Sequence, residues 1–163
     1  MKKVVVVFGV ALAGLAVAAS FVRAKGSGVV TNPAGKKAEF VMDVWKQVTS
    51  SSESVGGNAK FGTSIRSESG QEGRRYIELR RVVTVSHSGR TVVAYGRGVM
   101  QIVFPNRPIV LTEGYVRVAV EDRKTPNGPG DLDKYSIRFQ PQQTGPVFEF
   151  GGLVRPGDVA VLY

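Results

Sequence analysis

Residues 76–104 read YIELRRVVTVSHSGRTVVAYGRGVMQIVF. In the first half, Ile77, Leu79, Val83 and Val85 alternate with Glu78, Arg80 and Thr84. Successive side chains of a strand point to opposite faces, so a period of two predicts a strand with one buried face. Arg81 breaks the apolar face. His87-Ser88-Gly89-Arg90 supplies a tight turn, and Thr91 to Phe104 returns as a second long strand. Together they form a hairpin. Gly96 and Gly98 inside the returning strand predict a bulge or a sharp bend.

The same pattern extends in both directions. Downstream, Pro105-Asn106-Arg107-Pro108 marks a turn, and Val110 to Glu121 sets Val116, Val118 and Val120 against Arg117 and Glu121. A loop rich in Pro, Gly and Asp follows from Asp122 to Asp133. Lys134 to Gln140 alternates cleanly, with Tyr135, Ile137 and Phe139 on one face. Val147–Phe150 and Val159–Tyr163 read as two short closing strands, punctuated by Gly151-Gly152 and Pro156-Gly157. Upstream, Lys60 to Ser67 is a candidate strand and Ser50 to Asn58 a loop. Ala38 to Val48 fits a helical face through Phe40, Val41, Val44, Trp45 and Val48. It also fits a strand buried on both sides, and the β-rich remainder favours the strand. About eight strands without an intervening helix predict an all-β, antiparallel sandwich or small barrel.

The amino terminus has a different character. Lys2 and Lys3 precede an uncharged run of 19 residues, Val4 to Val22, and Arg23 ends it. A positive start, an apolar middle and small residues at the end make a secretory signal peptide. Cleavage after Ala18 or after Ala24 satisfies the small-x-small rule. Ala24 clears the apolar run and is the preferred point. The expected organisation is then a signal peptide at 1–24, a flexible lead-in at 25–37 and a single β domain at 38–163. The alternative is an uncleaved inner-membrane anchor through residues 4–22, since about 18 apolar residues can span a bilayer. Gly9, Gly14 and the alanines of the run weaken that alternative.

Removing 24 of the 163 residues leaves 139, enough for one domain with its own core. Lys2, Lys3 and Arg23 belong to the removed part, so the net charge falls from +9 to +6. A basic surface favours anionic material such as cell-surface polymers or phospholipid heads. The chain contains no cysteine, which excludes disulfides, lipoprotein modification, thiolate zinc sites and a thiol nucleophile.

Three groups of residues invite a chemical reading. The first is the loop Glu121-Asp122-Arg123-Lys124-Thr125-Pro126-Asn127-Gly128-Pro129-Gly130-Asp131-Leu132-Asp133. Asp122, Asn127, Asp131 and Asp133 could offer oxygens to calcium. Their spacing does not match an EF-hand, and Arg123 and Lys124 place positive charge among them. The simpler reading is a hairpin loop whose Asp side chains accept hydrogen bonds from backbone amides.

The same segment, VAVEDRKTPNGPGDLDKYSIRF from Val118 to Phe139, resembles the pattern Asp-x-Gly-x-Pro-Gly-x-Gly-Asp-x-Phe-Ser-Ile-Arg of post-COAP domains, small β-rich domains of secreted bacterial proteins. Gly130-Asp131 and Tyr135-Ser136-Ile137-Arg138 carry the match. AKFGTSIRS and YIELRRVVTVSHSGR resemble the earlier strands of that family, so the likeness spans roughly residues 59–163. The loop here is longer, and Arg123 and Lys124 replace small or acidic neighbours. The resemblance implies export and a β architecture, and it brings no catalytic residue, ligand or cofactor.

The second group interleaves basic and aromatic residues at Arg74-Arg75-Tyr76, Arg80-Arg81 and Tyr95-Gly96-Arg97. Arg75, Tyr76, Arg80, Tyr95 and Arg97 are the candidate ligand-binding face. Such a face suits single-stranded nucleic acid, but an export signal argues instead for an anionic cell-surface polymer or another envelope protein. The third group is catalytic. His87, the only histidine, would have to serve any Ser-His-Asp site, and an exposed turn residue is the simpler reading. A glycosidase needs only two carboxylates, with Glu113, Glu121, Asp122, Asp131, Asp133, Glu149 and Asp158 as candidates. One Trp and five scattered Tyr make a poor sugar cleft. The expectation is an exported, non-enzymatic β domain, without a cofactor, that binds or builds at the cell envelope or outside the cell. The alternatives are a small carboxylate-based hydrolase and a calcium-stabilised adhesion module.

Overall fold

The structure, a computed structural model, describes residues 19–123 and 132–163. The chain forms β1 (Ser20–Thr31), β2 (Lys37–Val48), β3 (Glu53–Arg66), β4 (Glu72–Ser88), β5 (Thr91–Val103), β6 (Val110–Glu121), β7 (Lys134–Pro141) and β8 (Phe148–Leu162). Each strand pairs antiparallel with its neighbour in sequence, and β8 closes on β1, so the sheet is a closed barrel. There is no helix among the described residues. Of the two expected architectures, the barrel is the one observed. Closure pairs every strand on both sides and removes the exposed edges that an open sheet leaves.

Alternation decides what fills it. Ala38, Phe40, Met42 and Val44 of β2 point inward, as do Val116, Val118 and Val120 of β6 and Tyr135, Ile137 and Phe139 of β7. An eight-stranded barrel is about as wide as the side chains that fill it. Phe40 stacks on Tyr135 at 4.1 Å between centroids, and Phe61 packs against Phe150 at 5.2 Å. Charged side chains such as Arg23, Asp43, Lys60 and Arg97 lie on the outside. A bilayer-spanning barrel needs the reverse, an apolar band facing outward.

Residues 76–104 form the expected hairpin, with two refinements. Ser88 pairs with Thr91, so the loop is only Gly89-Arg90, and His87 lies within β4. Gly89 has φ +52°, the left-handed geometry that two-residue hairpin loops with a leading glycine adopt. The bulges fall on β4, between Leu79 and Arg81 and between Val82 and Thr84. They shift the inward set from the expected Val83 to Val82, and Val83 is 51% exposed. Gly96 of β5 faces this region, where a Cβ would collide with the backbone oxygen of Arg81. The glycine thus marks the bulge on its partner.

Other expectations need correction. Residues 25–37 are not a loose lead-in: most of them belong to β1, and residues 32–36 make the turn into β2. Val22, Ala24 and Val30 are buried, so β1 runs across the preferred cleavage point at Ala24. Gly26 lies where the β8 backbone at Asp158 comes too close for a side chain. Ala38–Val48 is the expected strand, but only one face is buried, and Val41 is 48% exposed. The expected loop at 50–58 shrinks to residues 49–52, because Gly56 continues β3 under the ring of Trp45. The two closing strands are one, β8, which runs through Gly151-Gly152 and Pro156-Gly157.

Candidate functional site: a basic and aromatic outer face

The outward positions of β4, β5 and β6 form one face. Arg81 of β4 stands opposite Arg97 of β5, which stands opposite Tyr115 of β6. One step along, Thr84 stands opposite Tyr95, which stands opposite Arg117. Tyr95 and Tyr115 therefore lie diagonally across the strand pair, and their rings stack at 5.8 Å with 5° between planes. Tyr95 is 39% exposed, and Arg81, Arg97 and Arg117 are all exposed. None of these three arginines has an ion pair or side-chain hydrogen bond among the described residues. The arrangement is a flat aromatic platform ringed by three planar cations with their donors open to solvent. Such a surface can hold carboxylate, sulfate or phosphate groups through forked hydrogen bonds, while the rings stack on an apolar or ring-shaped body.

The bulge creates part of this face. It places Arg80 and Arg81 consecutively on the outside, where unbroken alternation would send one of them inward. Arg80 donates to Glu78 Oε2 at 2.7 Å, and Lys60 approaches Glu78 at 3.6 Å. The hydrogen bond from Arg80, reinforced by both positive charges, holds the Glu78 carboxyl below the usual carboxylate range. Arg80 is thus occupied by its own protein.

Of the five sequence-predicted residues, Tyr95 and Arg97 come together as the heart of the face, and Arg80 borders it. Tyr76 is also outward, but it stands opposite Gln101, four residues from Arg97 along β5. That separation is about 13 Å at a strand's rise per residue. Its ring neighbours Arg74, which pairs with Glu39 at 3.3 Å. Arg75 does not belong to the face: adjacent residues of a strand diverge, and Arg75 points into the barrel, with its guanidinium 4.4 Å over the ring of Phe148. Sequence reasoning grouped Arg81 with Arg80 but left it out of the five, and it missed Tyr115 and Arg117. The alternation of β6 already turns Arg117 outward, but only cross-strand register shows that it lies beside Tyr95.

The acidic loop has a different use. Asp133 is buried, and its carboxylate accepts from the backbone N–H groups of Arg123 at 3.0 Å and Val159 at 2.8 Å. Its own backbone oxygen accepts from Val154. Asp122 accepts from the Val161 N–H at 3.2 Å. Asn127 and Asp131 lie outside the described residues. No set of three His, Cys, Asp or Glu side chains converges as a metal site among the described residues. Of the candidate catalytic carboxylates, Glu121 pairs with Arg123 at 3.2 Å and Lys134 at 3.4 Å, and Glu149 pairs with Arg138 at 3.2 Å. His87 neighbours the ring of Tyr163 at 5.8 Å.

Comparison of the chain with protein-family models, curated proteins and solved structures finds no match.

Proposed function

We propose that this chain is an exported, non-enzymatic barrel that binds an anionic polymer along the outer face of β4–β6. The observation that carries the reading is the set Arg81, Arg97 and Arg117, three exposed cations without acidic partners among the described residues, around the stacked pair Tyr95 and Tyr115. Arg23 and Arg138, by contrast, are matched by the acids Asp43 and Glu149. The export signal read at the amino terminus supports an extracytoplasmic anionic polymer over nucleic acid. The resemblance to post-COAP domains supports the same location.

Titration calorimetry with polygalacturonate across a salt series tests this reading. Binding should weaken steadily with salt, and replacing Arg81, Arg97 and Arg117 together by alanine should reduce affinity at least tenfold. A control with Arg66→Ala and Arg107→Ala should bind as the parent does. Equal losses in both variants would show charge-driven adhesion without a site and would end the proposal.

The course of β1 bears on processing. A cut after Ala24 would remove Val22 and Ala24 from the core and delete the ion pair of Arg23 with Asp43. A cut after Ala18 leaves the whole barrel, and we propose that one. Mass spectrometry of the exported protein should find Ala19 at its amino terminus; Lys25 or an intact Met1 would overturn it.

A further inference from the structure

The inward positions of β4 run Gly73, Arg75, Ile77 and Leu79, which places a guanidinium inside the barrel near the turns at 67–71 and 104–109. Arg75 stands opposite Thr63 of β3 and Ile102 of β5. Its guanidinium lies over Phe148, and its Nε is buried without a hydrogen-bond partner among the described residues. No carboxylate among the described residues comes within ion-pair distance of it. The hydroxyl of Thr63 donates to backbone oxygens, that of Lys37 the nearer. Burial disfavours the charged form and lowers the Arg75 pKa from its usual value. Arg75 is half-buried and only its Nε is sealed from water, and a cation partly withdrawn from water without an acceptor is favoured by an anionic partner. Around it the lip of the barrel is apolar and only half-buried, formed by Ile65, Ile102 and Phe148.

We propose that Arg75 receives the carboxylate of an amphiphilic organic acid whose apolar body lies against Ile65, Ile102 and Phe148. The guanidinium fork matches a carboxylate with two parallel hydrogen bonds, while stacking on Phe148 holds its plane. The site faces the barrel mouth and is separate from the β4–β6 outer face, so the two readings stand or fall independently.

Decanoate is the probe, followed by titration calorimetry below its micellar range, with decanol and acetate as comparators. Decanoate should bind at least tenfold more tightly than either, because decanol lacks the charge and acetate lacks the apolar body. Arg75→Met keeps an unbranched stem and deletes the charge; it should lose at least tenfold in decanoate affinity while its circular dichroism and melting remain those of a folded barrel. Arg75→Lys should fall between the two. Arg138→Ala, at an outward residue paired with Glu149, should leave decanoate binding unchanged. Undiminished decanoate binding by Arg75→Met, or equal binding of decanol, would overturn the proposal. If Arg75→Met does not fold, the comparison of decanoate with decanol on the parent protein, together with Arg75→Lys, still decides it.

Discussion

The acidic end of the barrel and the β4–β6 face are both dense in charge, and their charges are used in opposite ways. At the β6–β7 and β8 end, Asp133 and Asp122 spend their oxygens on backbone N–H groups of the protein itself. On the β4–β6 face, Arg81, Arg97 and Arg117 have no ion-pair partner among the described residues. A buried carboxylate is tolerated only when its lone pairs are filled, so Asp133 belongs to the fold. An exposed arginine costs the fold nothing when left unpaired, so it is available to a ligand. The sequence shows both as charged clusters. The difference lies in what each charge meets.

Replacing Asp133 by alanine is the strongest way to break the comparison. It strands the N–H groups of Arg123 and Val159 and should cost about 3 kcal/mol of stability, read as a lowered denaturant midpoint. A loss below about 0.5 kcal/mol would remove Asp133 from the framework. The combined alanine replacement of Arg81, Arg97 and Arg117 should do the reverse. Stability should stay within about 0.5 kcal/mol of the parent, while polygalacturonate affinity falls at least tenfold, about 1.4 kcal/mol.

Tyr135 sharpens the rule from inside, two residues from Asp133. Its ring is stacked in the core and its hydroxyl is buried without a partner among the described residues. Burial alone pushes its pKa upward. Tyr135→Phe removes the unsatisfied group and keeps the ring, so thermal unfolding should report a gain of about 1 kcal/mol. A loss would show that the hydroxyl has a partner in solution.

The smallest effect concerns Asp43. The Arg23 Nε donates to it at 2.8 Å, and this hydrogen bond, opposed by burial and reinforced by the arginine charge, holds its carboxyl below the usual range. A depressed folded pKa contributes stability above the unfolded value and loses it as pH falls through the folded one. The melting difference between the parent and Asp43→Asn should therefore be small at pH 6 and shrink below about pH 4. A difference that grows on acidification would refute the linkage.

Much of this was readable beforehand, for a local reason. The alternation at 76–104, 110–121 and 134–140 is enforced residue by residue, and it marks β4 to β7 closely. Tyr95 and Arg97 were readable as site residues because they lie two apart on one strand. Arg75 was misplaced because composition groups it with Tyr76, whereas the pleat sends adjacent residues to opposite faces. The bulges on β4 were displaced in the reading because the glycine that accommodates the contact sits on the partner strand.

The amino-acid sequence by itself determined the strands β2 to β7, their antiparallel order and most of the apolar set that had to be covered, because side-chain period and turn chemistry act over a few residues. Only the tertiary structure decided that the sheet closes, through pairs such as Arg23 with Leu162, and that β1 begins before Ala24. Closure joins residues from opposite ends of the chain, and register across a bulge depends on two strands at once. Neither is written in any one segment, and together they place three arginines on the outer face and one inside the barrel.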